Sequence, residues 1–144
     1  MTELVLTYRG TIYPWHCDHM GHMNVMWYTG KFDEATWQFF NMVGLTPAYM
    51  SEQARGMVAA RQNTSYRHEV NAGDLITVWS GVLEARQRLL RFYHEMRNEV
   101  SGDIVATTVL TGVHIDTQTR KPTPFPDDLL EHFRQITLDY DPVL

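Results

Sequence analysis

Residues 24–44 read NVMWYTGKFDEATWQFFNMVG, and this stretch decides the architecture. Val25, Tyr28, Phe32, Ala35, Phe39 and Val43 recur at spacings of three and four, the pattern that lays one apolar stripe along an α-helix. Asn24 suits the N-cap, because its short carboxamide accepts a hydrogen bond from a first-turn N–H that has no helical partner. Gly44, reinforced by Pro47, marks the stop. Met26, Trp27, Trp37 and Phe40 carry apolar surface around much of the remaining circumference. The helix is therefore predicted to be covered on most sides rather than laid on a surface.

Working outward, residues 4–13 read as a strand that ends at Pro14, which cannot donate to a ladder. A polar, His-rich loop over residues 15–23 connects it to the helix. Beyond Gly56 the period shortens to two. Residues 57–70, 75–83, 89–97 and 104–115 read as four strands, with Leu90, Phe92, His94 and Met96 alternating against Arg91, Tyr93, Glu95 and Arg97 in the third. Short turns at Gly73-Asp74 and Ser101-Gly102-Asp103 predict antiparallel pairing of successive strands. A turn-rich stretch over 116–126 leads to a short helix at 127–135. One strand, a long buried helix and four antiparallel strands are satisfied most simply by an α+β hotdog fold. In it a five-stranded antiparallel sheet wraps around a long central helix. Residues 1–144 are expected to form a single domain.

Composition narrows the function. A formal net charge of −5 with dispersed Lys and Arg argues against nucleic acid as a partner, since such binders carry a basic stripe. The single cysteine, Cys17, excludes an internal disulfide framework and suits a reducing compartment. No apolar run approaches the roughly 18 residues of a spanning helix, and the start shows no basic-then-apolar leader. No membrane association and a cytoplasmic location are expected.

The loop before the helix carries Cys17-Asp18-His19-Met20-Gly21-His22-Met23-Asn24, with Tyr28 one turn on. This run closely resembles the Asp-x-x-Gly-His-x-Asn-x-x-x-Tyr signature of acyl-CoA thioesterases related to 4-hydroxybenzoyl-CoA thioesterase. Tyr66 with Gly73-Asp74 is similar to a recurrent pattern of that family's middle strands. Val113-His114-Ile115-Asp116 through Arg120-Lys121-Pro122 and Pro126 resembles the end of its last strand. The likeness spans nearly the whole chain.

The resemblance implies hydrolysis of an acyl-CoA to a carboxylic acid and free CoA, with neither metal nor organic cofactor. It casts Asp18 as the catalytic carboxylate, nucleophile or general base, and the Val25 backbone N–H as the donor that polarises the thioester carbonyl. Asn24, Trp27, Tyr28 and His22 are the expected substrate-side residues, with Asn24 and His22 also holding the loop. Some family members have a His where this chain has Val25, so no His role is carried over. The resemblance further implies a homodimer or homotetramer. Residue chemistry agrees with the reaction: a thiol with pKa about 8.5 leaves without help from an acid, so a carboxylate and an oxyanion donor suffice.

Plainer readings stand beside these. By residue type alone Asp18 is a loop-capping carboxylate. His16, Cys17, Asp18, His19 and His22 are all zinc-ligand types, but their spacing lacks the paired motifs of a structural site. Trp15, Trp27 and Trp37 are candidate acyl-pocket walls, or a cage for a cationic acyl group, with core or interface packing the simpler expectation for Trp37. Arg61, Arg67, Arg86, Arg88, Arg120 and Lys121 are candidates for CoA phosphates, although for any one of them a solvated surface charge is the simpler expectation. Two other functions share the fold: hydration of an enoyl or 3-hydroxyacyl thioester, and non-catalytic acyl-CoA binding. The absence of a G-x-S-x-G elbow disfavours a serine hydrolase.

Overall fold

The computed structural model describes residues 3–142. The long helix, α1, spans Val25–Met42 and is capped by Asn24, whose side chain accepts from the Met26 N–H. Five strands curve around part of it: β1 (Val5–Thr11), β2 (Arg55–Tyr66), β3 (Leu75–Ala85), β4 (Leu89–Asn98) and β5 (Ile104–Asp116). They form one antiparallel sheet in the order β1-β3-β4-β5-β2. A short helix, α2 (Pro47–Gln53), follows α1, and α3 (Asp127–Gln135) follows the sheet. The fold class read from the sequence is the one observed.

The pairing of successive strands is corrected at one place. β2 does not pair with β3; it crosses to the far edge and pairs with β5. The first strand, expected over 57–70, ends at Tyr66, and residues 67–74 leave the sheet. Within this link Val70 is fully buried and its carbonyl accepts from the Met23 N–H at 2.8 Å. The link thus closes the core beneath the start of α1. The crossing brings β1 to one side of the helix, where Lys31 reaches Tyr8, and β2 to the other, where Tyr28 meets Tyr66. A simple β2–β3 hairpin would leave that second side bare.

Tyr28, Phe32, Ala35, Phe39 and Phe40 form the buried face of α1. They divide between two apolar clusters. Tyr28, Phe32 and Ala35 pack with Ile76, Val78 and Met96. Phe39, Phe40 and Val43 pack with Val82, Leu90 and Phe92. His94 sits between the clusters, fully buried and against Phe32, Phe39 and Phe92. Its Nε2 pairs with Thr36 Oγ1 at 2.8 Å and its Nδ1 pairs with the Ser80 hydroxyl, which in turn meets Thr7 at 2.8 Å. Burial pushes this imidazole down to about 3, so it stays neutral. A satisfied polar chain through an apolar core joins helix to sheet at one register.

One further expectation is corrected. Within one chain α1 is not covered on most sides: Val25, Met26, Trp37 and Met42 are each about half exposed or more, because five strands enclose only part of the helix circumference. On the other face of β4, Tyr93 and Glu95 are buried too. The chain after α3 returns across the outer sheet face, where the Leu138 N–H donates to the Val82 carbonyl and its side chain packs on Gly81, the register partner of Tyr93. α2 itself was not foreseen, although Thr46 caps it and Pro47 opens it.

Candidate active site

The loop before α1 folds as a tight hairpin. Cys17 and Met23 form an isolated antiparallel bridge, the Asp18 N–H donates to the His22 carbonyl (3.1 Å), and the Gly21 N–H donates to the Asp18 carbonyl (3.0 Å). Gly21 turns the chain at φ +92°, a left-handed conformation that costs a glycine little. Before the hairpin, the turn Pro14–His16 is held by the Tyr13 N–H donating to His16 Nδ1 at 2.9 Å.

This hairpin aims the Asp18 side chain back at the helix. One carboxylate oxygen accepts from the Met20 N–H and the other from the Asn24 carboxamide, both at 2.9 Å. The Asn24 carboxamide oxygen accepts from the Met26 N–H at 3.0 Å, and the Asn24 main-chain N–H donates to the His16 carbonyl at 2.9 Å. One side chain therefore joins the carboxylate to the first turn of α1. Val25 is the first helical residue, so its N–H has no intrahelical acceptor, and the Asn24 cap is spent on Met26. The loop-capping contacts foreseen for Asp18 are present, yet they occupy only two of a carboxylate's roughly four acceptor positions.

The Asn24 amide, then the Met20 N–H, holds the Asp18 carboxyl below the usual carboxylate range against a small opposing effect of burial, with His22 and His19 adding to the lowering. A carboxylate with two donors and the positive end of a helix nearby is ionised throughout the neutral range.

The other expected site residues divide between two cavities on opposite sides of the helix start. A cavity of about 210 Å³ is lined by Val25, Tyr28, His22, Tyr66 and Glu69 among others. Tyr28 is buried, its hydroxyl donates to the His68 carbonyl at 3.4 Å, and its ring meets Tyr66 edge to face. His22 Nε2 lies 3.5 Å from Glu69 Oε1. Trp27 does not join this group. It packs edge-on against His16 and lines a cavity of about 480 Å³ with Trp15, Tyr13, Tyr8, Lys31 and Glu34 on the β1 side. Trp37 stands edge-on to Phe40 beside a narrow space of about 60 Å³ with Asp33 and Met57.

Tyr66, Glu69 and Lys31 were missed as site residues. Lys31 is buried on α1, with its ammonium 5.5 Å from the centre of the Tyr8 ring, and burial pulls its pKa down. Its signal in the sequence is a charge on the apolar side of the helical wheel. Tyr66 belongs to the pattern shared with the family's middle strands, but neither it nor Glu69 carries a local sign of its place beside Val25, to which the β2 crossing brings both. Of the candidate phosphate-binding cations, Arg67 lines the Val25 cavity, and Arg86 is paired with Glu84 at 3.1 Å. Among the described residues, no three His, Cys, Asp or Glu side chains converge as a metal site requires, and no helix is long and apolar enough to cross a membrane.

Residues 12–133 match the thioesterase-like superfamily, and the chain belongs to it. It is similar to the L-carnitine dehydrogenase/betainyl-CoA thioesterase of Agrobacterium fabrum, at 32% identity across 78% of this chain and 23% of that protein. It is also similar to the betainyl-CoA thioesterase of Pseudomonas aeruginosa, at 22% identity across 90% of this chain and 82% of that one. The chain thus spans about a quarter of the Agrobacterium protein and most of the Pseudomonas one. Among solved structures, a hypothetical protein of Staphylococcus aureus in complex with CoA superposes with a TM-score of 0.85, at 21% identity over 98% of this chain and 90% of that one. The sheet around α1 is the hotdog fold of this superfamily.

The local chemistry of Asp18 is measurable. In carbon-detected NMR its carboxyl should titrate below 3.8, the ordinary value. Asn24→Ser keeps a capping oxygen but removes the amide donor, so the midpoint should rise. The ionised form adds to folding stability above the ordinary carboxylate value, and that contribution is lost as pH falls through the lowered one. A midpoint that stays put in Asn24→Ser contradicts the assigned role of the amide.

Proposed function

We propose that this chain hydrolyses acyl-CoA thioesters to a carboxylic acid and free CoA, with Asp18 as the catalytic carboxylate and the Val25 N–H as the carbonyl-polarising donor. The observation that carries the reading is the Asn24 bridge, which sets an ionised carboxylate beside the open end of α1. Membership of the thioesterase-like superfamily supports it.

In this reading the thioester oxygen accepts from the Val25 N–H, and the partial positive charge of the helix start favours the developing oxyanion. Two routes use the same placement. In one, Asp18 takes a proton from water as the water oxygen adds to the carbonyl carbon, and the C–S bond then breaks to release the CoA thiolate. In the other, a carboxylate oxygen adds to the carbonyl carbon and expels the thiolate. Water then cleaves the resulting anhydride and regenerates the carboxylate. Both need Asp18 ionised, and neither needs an acid to protonate sulfur. Betainyl-CoA, the compound in the names of the bacterial relatives, belongs first on the substrate panel.

The working form we propose is a homodimer or homotetramer. β2 ends the sheet, so one of its edges has no strand partner among the described residues. Val58 and Tyr66 on that strand are exposed, as is Trp37 on the adjacent side of α1. An open edge with apolar neighbours invites a second copy and is an aggregation hazard without one. Light scattering of active protein at micromolar concentration should report at least twice the 16.8 kDa chain mass. Full activity at the single-chain mass would overturn the proposal.

Asp18→Asn tests the chemistry. It is nearly isosteric and lies in an exposed loop, so the fold should persist. Loss of a general base costs about 10²–10⁴ in rate, and kcat should fall at least about a hundredfold with little change in KM. A variant that keeps more than about a tenth of wild-type kcat, a loss under ~1.4 kcal/mol, removes Asp18 from the mechanism.

A further inference from the structure

The carbonyl that holds the Asn24 main chain belongs to His16, and the His16 side chain fixes the turn on which that carbonyl sits. His16 and Tyr13 bond each other twice. The His16 N–H donates to the Tyr13 carbonyl and the Tyr13 N–H donates to His16 Nδ1, both at 2.9 Å. We propose that His16 is a positioning residue for hydrolysis, its Nδ1 lone pair holding the turn whose carbonyl places Asn24 and, through Asn24, Asp18. The proposal rests on the thioesterase reading above.

The segment Pro14–His16 is a single 3₁₀ turn, too short to be held by a helical ladder. β1 ends at Thr11, so the Tyr13 N–H lies beyond the sheet, and His16 Nδ1 takes the place of a ladder acceptor. The imidazole that supplies it is buried and clamped. Trp27 stands edge-on to it with centroids 4.6 Å apart, and Trp15 edge-on at 5.8 Å. Trp27 does not reach the Val25 cavity, yet it holds the ring that places Asn24. Accepting at Nδ1 requires a neutral imidazole with its proton on Nε2, because an imidazolium offers only donors. Burial, then the Lys31 ammonium, lowers the His16 pKa against an opposing effect of Glu34. Tyr8 of β1 and Tyr13 are the other titratable groups that line the same cavity. The acceptor is therefore in place at neutral pH.

From this turn the path to the carboxylate is short. The His16 carbonyl accepts from the Asn24 N–H, and the Asn24 carboxamide donates to Asp18, each at 2.9 Å. Every link is a single hydrogen bond. A turn that loosens moves the Asn24 main chain, and the amide that holds Asp18 moves with it. Helix α1 itself keeps its packing through Tyr28, Phe32 and Phe39, so the effect falls on the direction of the carboxylate more than on the fold.

Two substitutions separate the lone pair from the ring. His16→Asn keeps an acceptor the same number of bonds from Cα as Nδ1 and loses the ring. His16→Phe keeps a ring against Trp27 and loses the acceptor. His16→Phe should lower kcat at least about tenfold with KM changed less than about twofold, the pattern of a loss felt mainly in the transition state, and should raise the titration midpoint of the Asp18 carboxyl. His16→Asn should stay within about threefold of wild type in kcat, with the Asp18 midpoint near its wild-type value. Retained kcat in His16→Phe, equal losses in both variants, or an Asp18 midpoint that His16→Phe leaves in place overturns the proposal. Nitrogen NMR of the wild-type ring gives a check that no misfolded variant can confound. A proton on Nε2 with Nδ1 bare is expected at neutral pH, and a proton on Nδ1 overturns the proposal. A wild-type chain that releases CoA from none of a panel of acyl-CoAs overturns the thioesterase reading and takes the role in hydrolysis with it, while the Asp18 midpoint still shows whether His16 places the carboxylate.

Discussion

The Asn24 carboxamide faces two ways at once. Its NH₂ group holds an Asp18 carboxylate oxygen and its oxygen holds the Met26 N–H. A residue that only capped the helix would leave Asp18 to the Met20 N–H, and one that only steadied the carboxylate would leave the first turn uncapped. Joining the two makes the direction of the carboxylate follow the direction of the helix axis. The rest of the structure serves to hold that axis still. His94 pins α1 to β3 and β4 from below, and the Met23 N–H ties the end of the hairpin to Val70.

The strand order supplies the other half of the site. By crossing to the far edge, β2 delivers Tyr66 to Tyr28 and lets the link after it bring Glu69 to His22. The same crossing leaves β2 open at its outer edge, so the cavity beside Val25 and the proposed contact with a second copy share one strand.

Legibility in the sequence follows the range of the forces involved. α1 is readable because the three-and-four spacing from Tyr28 to Phe39 records burial along one face of one segment. The motif around Asp18 is readable because Gly21, Asn24 and Asp18 satisfy each other within seven residues. β4 shows its inward face as Leu90, Phe92, His94 and Met96, but not that Tyr93 is buried as well, since Leu138 reaches its neighbour Gly81 from more than 50 residues away. The β2 crossing leaves no local trace, because its cause is the need to flank α1 on both sides. Trp27 was placed with Tyr28 on sequence proximity alone. One step along a helix turns a side chain by about 100°, enough to send it to the other cavity.

The central claim is that Asn24 acts on the reaction through Asp18, and a double-mutant cycle on kcat reads that coupling directly. Asn24→Ser, Asp18→Asn and the double variant are compared with wild type, each checked for an unchanged fold by thermal denaturation. If Asn24 works through the carboxylate, Asn24→Ser lowers kcat by about tenfold in the wild-type background and by less than about twofold once Asp18 is Asn, the non-additivity expected of residues in one network. Equal losses in both backgrounds would mean that Asn24 serves the helix alone, and the link between carboxylate and helix start would not be the organising element of the site.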